Sequence, residues 1–109
     1  MAVSKAYRDY VLEQLERTGP VTFKSMFGGA GLYADGRFFG LISSQDVFYL
    51  KVDDGTRPDY QARGSQPFAP FGAKAMMNYF TVPEDVLEDP DELTLWARKA
   101  IAVAARTKT

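Results

Sequence analysis

The chain opens on a helical period. Tyr7, Val11 and Leu15 recur at every fourth position, Tyr10 and Gln14 flank them, and Ser4 stands where an N-cap is needed. Gly19-Pro20 ends this segment, and the period then drops to two. Val21-Thr22-Phe23-Lys24-Ser25-Met26-Phe27 alternates as a strand does, Gly28-Gly29-Ala30-Gly31 interrupts it, and Leu32-Tyr33-Ala34 resumes it. The glycines read as a bulge or bend in the sheet. Asp35-Gly36 is the dipeptide that best supplies the positive φ angles of a type I′ hairpin, so Arg37-Phe38-Phe39-Gly40-Leu41-Ile42 is expected to return antiparallel. Ser43-Ser44-Gln45-Asp46 makes a second turn, and the strand from Val47 to Val52 puts Phe48, Leu50 and Val52 on one face.

Asp53-Asp54-Gly55-Thr56 leads into a short helix from Arg57 to Arg63, in which Pro58 is tolerated in the first turn and Gly64 is a natural C′ residue. A loop with Pro67 and Pro70 then carries Phe68 and Phe71 as exposed aromatics. From Ala75 to Val82, Met76, Asn78, Phe80 and Val82 alternate with Met77, Tyr79 and Thr81; such a strand, apolar on both faces apart from Asn78, is expected to be central. Asp89-Pro90-Asp91-Glu92 places a cap, a first-turn proline and an acidic third residue ahead of a stripe of Leu93, Trp96, Ala97, Ala100, Ile101 and Ala104. The order α-β-β-β-α-β-α predicts an α+β two-layer sandwich, an antiparallel sheet with helices on one face, as a single domain over residues 1–109.

Composition narrows the chemistry. The 109 residues include no His and no Cys, which removes disulfides, thiolate nucleophiles, Ser/His and Cys/His dyads and the usual zinc sites. Thirteen basic against fourteen acidic residues leave a formal charge of −1, so the surface as a whole has no cationic field for a polyanion. No signal peptide and no run of 18 apolar residues is present, and a cytoplasmic protein without membrane contact is expected.

Gly19-Pro20-Val21, Met26-Phe27-Gly28-Gly29-Ala30-Gly31-Leu32-Tyr33, Asp35-Gly36, Tyr49-Leu50-Lys51-Val52-Asp53, Pro67-Phe68, Leu87-Glu88-Asp89-Pro90 and Trp96-Ala97 together resemble the N-terminal domain of the TfoX/Sxy family, bacterial regulators of natural competence. The resemblance runs over essentially the whole chain, and the Met-Phe-Gly-Gly-x-Gly-Leu-Tyr block is its specific part. It implies a fold related to two-layer secretion-chaperone-like domains, which often dimerise. It further implies a transcriptional co-regulator that acts through protein contacts and is not an enzyme. Family members that control competence carry a second, helical C-terminal domain, which this sequence lacks after Thr109, so DNA contact is expected to be indirect at most.

Candidate features divide between local structure and function. The glycine cluster is followed by a strand, whereas a dinucleotide fingerprint needs a helix there. Asp53 and Asp54 read as helix-capping carboxylates. Glu84, Asp85, Glu88, Asp89, Asp91 and Glu92 form an acidic face before the last helix, and Arg98, Lys99, Arg106 and Lys108 a basic tail that complements its dipole. Lys51 is expected to face outward between buried neighbours. Six Tyr and eight Phe are too many for so small a core, and Tyr33, Phe39, Tyr49, Tyr79, Phe68 and Phe71 cannot all lie inside it. An uncovered sheet face bearing them would be a protein-contact or self-association surface.

Three functions follow. The first is a non-enzymatic interaction module with a protein partner, a transcription regulator or polymerase component, or a second copy as homodimer. Its candidate surface is Met26, Phe27, Gly28, Gly29, Tyr33, Tyr49, Lys51, Phe68, Met77 and Tyr79, with no catalytic residue, metal or cofactor. The alternatives are a nucleic-acid binder using sheet aromatics and the basic C-terminus, and a small enzyme or ligand-binding protein using the glycine bend, Tyr49 and Lys51.

Overall fold

The computed structural model describes residues 4–26, 28–69 and 74–106. Ser4 Oγ accepts the Tyr7 amide at 3.0 Å and starts α1 (Lys5–Gln14), and Val11 and Leu15 on its apolar stripe are fully buried. A 3₁₀ turn, Glu16–Thr18, completes the helical segment before Gly19. The chain then enters an antiparallel sheet of β1 (Thr22–Met26), β2 (Gly29–Ala34), β3 (Arg37–Ile42), β4 (Phe48–Lys51), β5 (Pro67–Phe68) and β6 (Met76–Thr81). Their spatial order is β1-β2-β3-β4-β6-β5. Helix α2 (Arg57–Gln61) joins β4 to β5, and α3 (Glu84–Leu87) and α4 (Pro90–Arg106) close the chain.

The expected order holds in outline and is refined at three places. Gly28 to Gly31 do not bend one strand; the chain reverses, with Met26 opposite Gly29 and Gly28 at a φ of 78°. Gly29 also lies so close to β3 that a Cβ would stand 2.2 Å from the Ile42 carbonyl oxygen. A bulge does exist, but in the next hairpin. Leu32 pairs with Gly40 and Tyr33 with Phe38, leaving Phe39 as an extra residue on β3. Finally, Pro67-Phe68 forms a two-residue strand beside β6, and α3 precedes the last helix.

Other local signals act as their chemistry dictates. Asp35 and Gly36 adopt φ of 53° and 75°, and the hairpin they turn pairs Ala34 with Arg37. Asp89 Oδ1 accepts the amides of Asp91 at 3.1 Å and Glu92 at 3.3 Å, capping α4. Each helix contributes to one core: Val11 from α1, Tyr60 from α2, Val86 and Leu87 from α3, and Leu93, Ala97 and Ala100 from α4 pack with Leu32, Phe39, Phe48, Leu50 and Phe80 of the sheet. Trp96 and Ile101 are half-buried at the margin of the α4 stripe. Since α1 to α4 share this core, they cover one face of the sheet and, among the described residues, leave the other without a helix.

Candidate interaction face

Register assigns the strand residues to the two faces. Leu50 lies opposite Gly40 and Phe80 in the core layer, so Tyr49 and Lys51, one residue away on either side, lie on the helix-free face with Leu41, Thr81 and Tyr79 as their partners. Tyr33 and Phe38, also opposite one another, have ring centroids 5.4 Å apart. Phe38 and Tyr79 are 5.6 Å apart although they belong to β3 and β6, which are not neighbours. Adjacent strands are about 4.8 Å apart, so these two rings meet across the strand between them. Tyr79 is only 6% exposed and Lys51 only 5%. Beside the two rings, Tyr49 stacks obliquely on Phe68 at 4.9 Å, and Met77 is 46% exposed. Gly31 admits the remaining side chain, for a Cβ there would meet Met26 Cε at 2.5 Å and Phe38 Cε1 at 2.7 Å.

The structure thus brings Met26, Tyr33, Tyr49, Phe68, Met77 and Tyr79 to one side of the sheet, with Gly28 and Gly29 at its border at the β1–β2 reversal, whereas Lys51 shares their register but lines the cleft between α2 and α4. Phe27, Phe71 and Lys108 lie outside the described residues. Two expectations change. Phe39, counted among the surplus aromatics, is fully buried in the core because the bulge turns it inward, and Phe38 takes the outer position. Lys51, expected to face outward, is only 5% exposed, and it lines the cleft between α2 and α4. Phe38 and Leu41 were overlooked as members of the face. For Phe38 the signal was present: a two-residue hairpin at Asp35-Gly36 necessarily sets Tyr33 opposite Phe38.

On this face Thr81 Oγ1 accepts the Gln66 amide at 3.0 Å, while the hydroxyls of Tyr33, Tyr49 and Tyr79 make no hydrogen bond with a described residue. Burial pushes the phenols of Tyr49 and Tyr79 above the ordinary tyrosine value, so at neutral pH both present an intact O–H donor.

Elsewhere several charges are paired. Arg63 bridges to Asp85 at 2.5 Å, Arg17 to Asp91, and Lys99 to Asp59 at 3.9 Å. Arg98 donates to the Arg17 carbonyl at 3.5 Å, and Arg106 to Asp53 at 2.6 Å. The Arg106 hydrogen bond is the main cause that holds the Asp53 carboxyl below its ordinary value, and the Thr56 and Gly55 amides that it accepts act the same way. A carboxylate with a lowered folded pKa stabilises the fold above its unfolded value of 3.8 and loses that contribution as pH falls through the folded value. Asp53→Asn should therefore be less stable than wild type at pH 6, and urea titrations should show the difference shrinking below about pH 4.

A cleft of about 350 Å³ lies between α2 and α4, walled by Tyr60 and Trp96 and lined also by Lys51. On its rim Trp96 Nε1 donates to Glu92 at 3.1 Å and Lys99 faces Asp59. Among the described residues no group of three or more Asp or Glu is placed to hold a metal ion, and no helix is long and apolar enough to cross a membrane.

Fold and face together define a two-layer α+β domain with helices on one side of a six-stranded antiparallel sheet and a largely aromatic surface on the other. The family model of the TfoX N-terminal domain matches residues 13–104, and the chain belongs to that family. Comparison with curated proteins returns no match.

Proposed function

We propose that this chain is a non-enzymatic protein-binding module, a transcriptional co-regulator of the competence type, and that it engages its partner through the helix-free face of the sheet. The observation that carries this reading is the convergence of Met26, Tyr33, Phe38, Tyr49, Phe68, Met77 and Tyr79 on that face, with tyrosine hydroxyls that have no hydrogen-bond partner among the described residues. Aromatic and methionine side chains, apolar along their length and polar or polarisable at the tip, are enriched at protein interfaces. Family membership supports the regulatory role. Direct binding of nucleic acid by the C-terminal helix has less support, since Arg106 and Lys99 are drawn into ion pairs with Asp53 and Asp59.

The test is affinity purification from nuclease-treated host lysate with wild-type protein and with Met77→Glu, which sets a charge into the exposed part of the face. Wild type should retain a transcription regulator or a polymerase component, and Met77→Glu should retain at least tenfold less while keeping its circular dichroism spectrum. Equal retention by the two proteins, or none by wild type, would overturn the reading. Light scattering of the purified chain distinguishes a second copy as occupant.

A further inference from the structure

We propose that the open edge of β1 takes an added strand: an extended segment of an acidic protein partner pairs with Thr22–Met26, setting a carboxylate opposite Lys24 and apolar side chains along Val21 and Phe23. This goes beyond the interaction read for the helix-free face and does not rest on it. Among the described residues β1 pairs with β2 alone. Thr22, Phe23, Lys24 and Ser25 are exposed and Met26 is half-buried, so the N–H and C=O of every second residue point away from the sheet with no strand to meet them. An extended chain satisfies such a row with main-chain hydrogen bonds, while its alternate side chains are read by what lies on either face of the edge.

The two faces of this edge differ, and the difference sets the partner's chemistry. Phe23 lies opposite Leu32 of the core layer, so Phe23 and Val21 belong to the helix side, whereas Thr22, Lys24 and Met26 belong to the other. On the helix side Phe23 is 41% exposed, and just before β1 begins a hollow of about 420 Å³ lies among Leu12, Leu15, Pro20 and Val21. An apolar residue set opposite Val21 borders that hollow, and an aromatic one opposite Phe23 packs on its ring. Glu16 also lines the hollow, which disfavours a partner's carboxylate there. The Arg8 guanidinium over the Phe23 ring is bridged by Asp9 at 3.2 Å, whereas Lys24 has no ion pair with a described residue. Lys24 is therefore the charge left for an added strand to answer, and β1 itself contains no carboxylate. A second copy paired by the same edge would bring the same lysine and again no carboxylate on its strand, which favours a different, acidic partner.

The probe is a fluorescein-labelled peptide Ser-Thr-Glu-Phe-Thr-Leu-Ser, which antiparallel to β1 sets its glutamate opposite Lys24, its phenylalanine opposite Phe23 and its leucine opposite Val21. Anisotropy at about 0.1 M salt should show it binding at least fivefold more tightly than the same peptide with lysine in place of glutamate. Lys24→Glu, an exposed substitution that leaves the core alone, should reverse that order. Met77→Glu should bind the peptide as wild type does, which keeps a failure here distinct from a failure of the reading of the helix-free face. N-methylation of one alternate set of peptide nitrogens should abolish binding and methylation of the other set should spare it, because only one edge of the added strand faces β1. The peptide should also slow hydrogen exchange at β1 amides that exchange freely without it. No binding by either peptide, equal binding of the two, survival of the order in Lys24→Glu, tolerance of both methylated sets, or exchange protection that leaves β1 unchanged would overturn the proposal. A dimer whose β1 amides are protected without peptide would overturn it too, with the second copy as occupant.

Discussion

Phe39→Ala is expected to lower the free energy of unfolding by about 3–5 kcal/mol, the range for removing a fully buried aromatic ring from a packed core. The ring is completely inaccessible, and it sits among Leu32, Leu50 and Phe80 in the layer that all the helices share. With an m-value of about 2 kcal/mol per molar urea, the denaturation midpoint should fall by roughly 2 M. That is a large share of a stability expected to lie between about 5 and 15 kcal/mol for a domain of this size. The bulge makes the experiment informative beyond its size. If the loss stays below about 1 kcal/mol, β3 has slipped by one residue and brought Phe38 inward, which would dismantle the aromatic face; Tyr49 and Tyr79 would then titrate at lower pH.

Gly29→Ala carries the other large effect. Its Cβ would lie 2.2 Å from the Ile42 carbonyl oxygen and 3.2 Å from the Ser43 carbonyl carbon, both backbone atoms that no rotamer change can move. Relief requires β2 and β3 to separate where Ala30 pairs with Ile42, at the side of the core. A cost of about 3 kcal/mol is expected, at the upper end for overpacking. Gly31→Ala is the control. Its clashes are with the ends of Met26 and Phe38, which can rotate away, so a loss nearer 1 kcal/mol is expected. Urea titration of the two variants should rank Gly29→Ala as the more damaging, and the reverse order would mean that the β2–β3 contact is looser than the structure shows.

How much of this was legible without coordinates depended on whether the determining interaction was local. The type I′ turn at Asp35-Gly36, the Asp89 cap and the alternation of Phe48, Leu50 and Val52 each depend on neighbours within a few residues, and each appears in the structure as expected. The glycine cluster misled because a bend and a reversal use the same residue. What distinguishes them is the approach of Ile42, thirteen positions away from Gly29. Phe38 and Phe39 are adjacent and chemically identical, so only the bulge decides which one enters the core. Met26, Tyr33, Tyr49, Phe68, Met77 and Tyr79 were all singled out as surface candidates, and register and ring contacts set them on one side of the sheet. The burial of Lys51 was not expected, because alternation along a strand does not say which elements pack against its outer positions.

The sheet terminates in β1 on one side, and among the described residues β1 pairs only with β2. Its outward backbone groups are thus open along five residues, in contrast to the two-residue β5 at the other end. Such a border is a template for runaway association between molecules. Lys24 sits in the middle of it, and the Arg8 guanidinium lies 4.4 Å over the ring of Phe23, the largest apolar group exposed there. Colloidal solubility of the protein at high concentration accordingly depends on two cations guarding one strand, far from the core that sets its folding stability.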